Sequence, residues 1–173
     1  MTIWSLGHST RTFEAFRDLL VPHGVTMLVD IRTVPQSRRH PQFGKDALAR
    51  ALSAPGIGYR HFAGLGGLRQ PRPDSTNTAW RHAGFRGYAD YMQTPAFAAA
   101  VEELMLLARE HRVAVMCAEA VPWRCHRQLL ADALVVRGVD VHEIESATRT
   151  RPHALTEWAR VDGTRVTYPG VAA

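Results

Sequence analysis

Short apolar runs alternate along this chain with stretches whose apolar residues recur every three or four positions, and few folds accommodate that rhythm. Ile3 to Leu6 is the first run, closed by the polar turn Gly7-His8-Ser9-Thr10. Thr12 is placed to cap a helix carrying Phe13, Phe16, Leu19 and Leu20 on one face and stopping at Pro22 and Gly24. Val25 to Ile31 reads as a second strand, and Ile57 to Phe62 as a third. Between them Ala47, Leu48, Ala51 and Leu52 mark a helix that ends before Pro55-Gly56. Thr94-Pro95 supplies a cap and a first-turn proline for a helix reaching about Arg109. Val113 to Met116 is the clearest strand; a helix predicted from near Trp123 to Gly138 buries Leu129, Leu130, Ala133 and Leu134, and Val139 to Ile144 closes the series.

Apolar strands alternating with amphipathic helices predict a three-layer α/β/α fold with a mostly parallel sheet of about five strands. Asp162-Gly163, flanked by Arg160-Val161 and Arg165-Val166-Thr167, adds a short C-terminal β-hairpin. Ala63 to Gly87 has little periodicity and reads as a long loop, functional or disordered, with a short helix at Tyr88 to Met92; Gly64–Arg72 with Trp80, Phe85, Arg86 and Tyr88 is a candidate lid over the site. Neither a repeat nor a linker is visible, so residues 1–173 are expected to form one domain.

The chain carries 21 Lys and Arg against 16 Asp and Glu, a formal charge of +5, and Lys45 is its only lysine. Abundant arginine beside abundant alanine also follows from GC-rich coding, so the placement of the arginines says more than their total. Guanidinium forks match phosphate and carboxylate oxygens bidentately, and clustered arginines point to an anionic ligand. No apolar run is long enough to span a bilayer, and the first residues lack the pattern of a signal peptide. With two cysteines, too few for a disulfide framework, the expected home is the cytoplasm. Nothing in the sequence specifies a cofactor or an oligomeric state.

In open parallel sheets ligands bind outside the carboxyl ends of the strands. Here those ends carry His8-Ser9-Thr10, then Asp30 and Arg32, the Gly64-Gly66-Gly67 loop, Cys117 and Glu119, and finally His142, Glu143 and Glu145. The segment from Cys117 to Arg127 is the strongest element: a strand end, a turn, and a helix expected to open with Arg124, His126 and Arg127. Cations at a helix N-terminus oppose its dipole, which makes sense if an anion offsets them. The plainer reading is that they pair inside the protein with Glu119, Asp30 or Glu145, and both readings stay open. Arg32, Arg38, Arg39 and His40 with Phe43 form a second basic stretch, suited to phosphates and a stacked base or simply to solvent.

Cys117, Cys125, His126 and Glu119 are all possible zinc ligands, but the separation of the cysteines matches no standard spacing, so no metal is expected. Cys117 before a turn and an arginine is similar to a phosphatase loop, yet six residues separate it from Arg124 where that loop has five. A catalytic thiol and a buried structural cysteine remain alternatives for it. Glu119 beside His126 is the better candidate for proton transfer. No Walker or dinucleotide fingerprint occurs.

Gly-His-Ser-Thr at 7–10, Val-Asp-Ile-Arg at 29–32 with Ser37-Arg38 and Phe43, Phe85 to Met92, Cys-Ala-Glu at 117–119 with Cys-His-Arg at 125–127, and Tyr168-Pro169-Gly170 together resemble the family called domain of unknown function 488. The resemblance covers nearly the whole chain. It implies a bacterial α/β domain and assigns no activity.

The residues themselves therefore carry the functional expectation: an enzyme acting on a phosphate-bearing substrate, a nucleotide or nucleic acid. Arg32, Arg38, Arg124 and Arg127 would hold phosphates, Glu119, His126 and Asp30 would move protons or orient water, and His8 and Ser9 would complete the site. A noncatalytic nucleic-acid-binding protein is one alternative. A thiol- or metal-dependent enzyme of small molecules, centred on Cys117 and Cys125, is another. The leading expectation requires Arg32 and Arg127 to share a pocket.

Overall fold

In the computed structural model, which describes residues 1–170, five parallel strands form the centre of the fold. They are β1 (Thr2–Gly7), β2 (Met27–Asp30), β3 (Gly58–His61), β4 (Val113–Cys117) and β5 (Asp140–Ile144). A sixth, β6 (Thr150–Pro152), runs antiparallel on the edge of β5, and the sheet order is β3-β2-β4-β1-β5-β6. Two short strands, β7 (Arg160–Asp162) and β8 (Arg165–Thr167), make the expected hairpin around Asp162-Gly163.

Strand side chains alternate between the two faces. Trp4, Leu6, Leu28, Ala114 and Met116 face one layer, where α1 (Phe13–Leu20) and α2 (Lys45–Ser53) bury Phe16, Leu20, Leu48 and Leu52. Ile3, Val29, Val113, Val115 and Cys117 face the other, covered by α3 (Ala83–Tyr91), α4 (Pro95–Glu110) and α5 (Arg127–Val135). The three layers and the mostly parallel sheet are those the sequence predicts. Thr12 Oγ1 accepts from the Ala15 N–H and Thr94 Oγ1 from the Phe97 N–H, so both capping threonines stand where expected.

Two boundaries differ in a way that matters for the site. Pro122–Arg124 form a separate 3-10 turn, and α5 begins only at Arg127, with His126 at its N-cap position. Arg124 is therefore not in the first turn of that helix, contrary to the sequence expectation. Helix α3 also starts earlier than Tyr88. Asp90 of α3 accepts from the Arg72 N–H, Ser75 Oγ and Asn77 Nδ2 and so ties the preceding loop to that helix, while Gly67, Leu68 and Phe85 line a cleft at the strand ends. Among the described residues no helix is long and apolar enough to cross a membrane.

Adjacent strands β1 and β4 send their following helices to opposite faces of the sheet. This divergence opens a crevice at their carboxyl ends, the usual ligand position in such sheets.

Candidate functional site

Backbone contact fixes the crevice first. Past the ends of β1 and β4, the His8 N–H donates to the Cys117 carbonyl and the Ser9 N–H to that of Ala118, each at 2.9 Å. A Cβ on Gly7 would lie 1.6 Å from the Glu119 carbonyl oxygen, so only glycine admits this approach. Ser9 takes the left-handed conformation (φ 51°), which costs a non-glycine residue about 1–2 kcal/mol.

Two adjoining hollows open here. An apolar cleft of about 370 Å³ is lined by Arg32, Val34, Leu68, Phe85, Cys117 and Cys125, with His126 on its wall. A wider, basic groove of about 640 Å³ is lined by His8, Ser9, Arg38, Arg39, His40 and Arg124. Gln36, Ala118, Glu119 and Arg124 belong to both and form the rim between them.

The sulfurs of Cys117 and Cys125 lie 2.7 Å apart at the floor of the cleft, both as free thiols. His126 Nε2–H donates to the Ile31 carbonyl at 2.9 Å, which leaves Nδ1, 3.4 Å from Cys125 Sγ, to exchange a proton with that thiol. The Arg127 N–H, at the start of α5, points at the same sulfur from 3.5 Å. Burial alone would push the Cys125 thiol up, but its hydrogen bonds with Cys117 and His126, with the charges of His126 and Arg127, outweigh it, and its pKa lies well below the ordinary thiol value. Burial and the hydrogen bond to Cys125 push Cys117 well above it. The pair is therefore asymmetric: Cys125 is the more acidic sulfur and Cys117 the less acidic one. Gly67 lets its loop close over His126, because a Cβ there would meet Nδ1 at 2.4 Å.

Asp30 and Arg32 are committed to each other. Arg32 Nε and Nη2 donate to the Asp30 carboxylate at 2.9 and 2.7 Å, Nη2 also donates to the Phe43 carbonyl, and the Tyr59 hydroxyl donates to Asp30. Burial works against the Arg32 cation, and Asp30 more than offsets it, so the pKa of Arg32 lies above its ordinary value. Burial, with Arg32 beside it, holds His8 below the ordinary histidine value and therefore neutral near pH 7. His8 Nδ1–H donates to the Ser9 carbonyl, while its ring stacks on Phe43 at 4.4 Å.

Arg127 stands apart. Its Nη1 donates to Glu143 at 2.9 Å and to Ser5 Oγ, and its Nη2 to the carbonyls of Glu119 and Ala120. It borders a third hollow of about 310 Å³ with Ser5, Glu143 and Arg151. Arg32 and Arg127 thus do not share a pocket. Each pairs internally with a carboxylate, Arg32 with Asp30 at the end of its own strand and Arg127 with Glu143 of β5, because a buried guanidinium needs a counter-charge.

The structure brings Cys117, Glu119, His126, Arg32 and Arg124 to one cleft and His8, Ser9, Arg38, Glu119 and Arg124 to the adjoining groove. Arg38, Arg39 and Arg124 are exposed and take part in no ion pair among the described residues. Cys125 is expected from the sequence only as half of the alternative thiol or metal centre, and Arg39 only as part of the basic stretch; neither is among the residues of the leading expectation. The signal for Cys125 was its place beside a histidine and just before a helix, where thiol pKa values fall. Among the described residues no three His, Cys, Asp or Glu side chains gather closely enough to hold a metal ion.

No curated protein and no solved structure matches the chain. The profile of one family, Domain of unknown function DUF488, matches residues 12–134, a span that takes in Asp30, Arg32, both cysteines and the arginines of the groove but neither Gly7–Thr10 nor the tail. Since that span is more than half of the chain, the protein belongs to the DUF488 family.

Proposed function

We propose that the protein is a thiol-dependent enzyme acting on a small phosphate-bearing substrate of the nucleotide class. The observation that carries this reading is the adjacency of two unlike hollows: the Cys125–His126 pair in an apolar cleft, and the unpaired Arg38, Arg39 and Arg124 in the groove beside it. The phosphate would rest among the three guanidinium groups, which match its oxygens. The less polar part of the substrate would enter the cleft and meet the Cys125 sulfur. His126 would take the thiol proton through Nδ1, and Glu119 on the shared rim would carry a proton for the departing group. Arg32, Arg127 and Asp30 would act by holding the walls in place rather than by touching substrate.

A thermal-shift screen of nucleoside phosphates and inorganic phosphate tests the groove. A ligand at a hundred times its dissociation constant stabilises by about 2.7 kcal/mol, which for a chain of this size raises the melting temperature by roughly 5–10 °C. Arg124→Ala should remove most of that shift, and the bound ligand should slow alkylation of Cys125 by iodoacetamide at least several-fold. If no phosphate compound shifts the melt, or Arg124→Ala leaves the shift intact, the reading fails. A response confined to polynucleotides, steeply weakened by salt and without protection of Cys125, favours a noncatalytic nucleic-acid-binding protein instead.

A further inference from the structure

We infer that Cys117 and Cys125 form a two-cysteine redox centre that exchanges with low-molecular-weight disulfides bearing anionic groups. The step goes beyond the phosphate-substrate reading and does not depend on it, since carboxylates suit the same arginines.

The geometry is unusual for two structural cysteines. Their sulfurs are 2.7 Å apart, whereas a disulfide bond is about 2.05 Å long, so only a small displacement separates the reduced pair from the oxidised one. Both cysteines are buried at the edge of the core and at the same time line the open cleft. The two residues sit at the ends of firm elements, Cys117 closing β4 and Cys125 just before α5.

The surroundings also assign different roles. Cys125 Sγ is approached by the Arg127 N–H and by His126, both of which stabilise a thiolate, while Cys117 Sγ–H donates to the Glu119 carbonyl oxygen at 3.6 Å. Cys125 is the attacking sulfur and Cys117 the resolving one.

The exchange balances without any other reagent. The Cys125 thiolate attacks one sulfur of the external disulfide; an S–S bond forms to Cys125, the external S–S bond breaks, and the first small thiol leaves with a proton passed through His126. Cys117 then loses its proton and attacks Cys125 Sγ, forming the internal disulfide and expelling the second small thiol. The protein is oxidised by two electrons and the external disulfide is reduced by two. Arg38, Arg39 and Arg124 in the adjoining groove would hold carboxylates of the incoming molecule.

The test uses glutathione disulfide with the intact protein, quenching with N-ethylmaleimide and reading intact mass. The native chain is expected to lose two hydrogens and to end without a stable adduct or a free thiol. Cys117→Ser should retain one glutathione on Cys125, and Cys125→Ser should react on the order of tenfold more slowly or worse. Cationic cystamine should react several-fold more slowly than glutathione disulfide at low salt. An ordinary thiol of pKa about 8.5 loses roughly seventyfold in rate between about pH 8 and about pH 6, whereas the native chain should show a far flatter profile. A native chain that ends with both thiols free, or with a persisting adduct, overturns the inference whether or not the variants fold. Equal rates for the two serine variants overturn the assignment of roles, and equal rates for the two disulfides overturn the anionic specificity.

Discussion

Replacing Arg127 by methionine removes a cation whose side chain is 0% exposed and leaves the Glu143 carboxylate, 10% exposed, without its partner. The lost contacts are unequal. The carbonyls of Glu119 and Ala120 belong to exposed residues and can turn to water, and Arg127 Nε has no partner to lose. The cost therefore comes mainly from Glu143, and stranding one member of a buried pair costs about 3–5 kcal/mol, or roughly 10 °C of melting temperature for a chain of this size. The loss should also depend on pH. Burial already raises the pKa of Glu143, and Arg127 is the largest influence pulling it back. A carboxyl whose folded pKa is raised contributes stability that is present below its unfolded value, about 4.3, and disappears as pH rises through the folded value. Without Arg127 the folded value rises further, so the penalty of Arg127→Met should be smallest in acid and grow toward pH 8. Urea unfolding followed by circular dichroism at several pH values measures this directly. Adding Glu143→Leu should restore most of the loss, because an apolar pair of similar volume is tolerated where a lone charge is not. A penalty below about 1 kcal/mol, or one that does not vary with pH, would refute the reasoning.

Gly67→Ala places a Cβ 2.4 Å from His126 Nδ1 and should displace the ring from Cys125 at a stability cost of about 1–3 kcal/mol. The pH profile of Cys125 alkylation should then move toward that of an ordinary thiol; an unmoved profile would show that the thiolate does not need this histidine. Tyr168→Phe deletes the hydroxyl that donates to Asp132 Oδ2 at 2.7 Å, inside a buried cluster where Asp132 also accepts from His153 and the Thr156 N–H. The expected loss is about 1–3 kcal/mol in urea unfolding, and a loss of only a few tenths would mean that water replaces the hydroxyl.

What the sequence made legible was local. The caps at Thr12 and Thr94 depend on a side chain and a backbone group a few residues away, so the order of residues suffices to place them. The central strands were legible because both faces of a parallel sheet are buried and their runs are apolar throughout. Strand β6 was not, since three residues on an edge, with a proline among them, carry no such pattern. The first turns of α3 carry little helical signal because Gly84 and Gly87 lower their propensity. For the site, sequence identified which residues stand at strand ends but not which way they face. Arg32 and Arg127 follow parallel strands as Arg38 and Arg124 do, and only tertiary packing reveals that the first two meet Asp30 and Glu143 while the last two meet solvent.

That division of labour among the arginines accounts for the form of the crevice. Arg32 binds the Phe43 carbonyl and so fixes the far end of the loop that carries Arg38 and Arg39. Arg127 binds the carbonyls of Glu119 and Ala120 and so fixes the turn that carries Arg124. Each exposed cation thus rides on a segment pinned by a buried one, and each buried one is neutralised by a carboxylate on its own or a neighbouring strand. The arrangement holds two loops with repelling charges close together, because repulsion among exposed guanidinium groups is screened by water while the buried pairs that hold the loops are screened far less. The buried pairs thus pin the backbone of the segments that carry Arg38, Arg39 and Arg124, while those exposed side chains keep their own rotamer freedom.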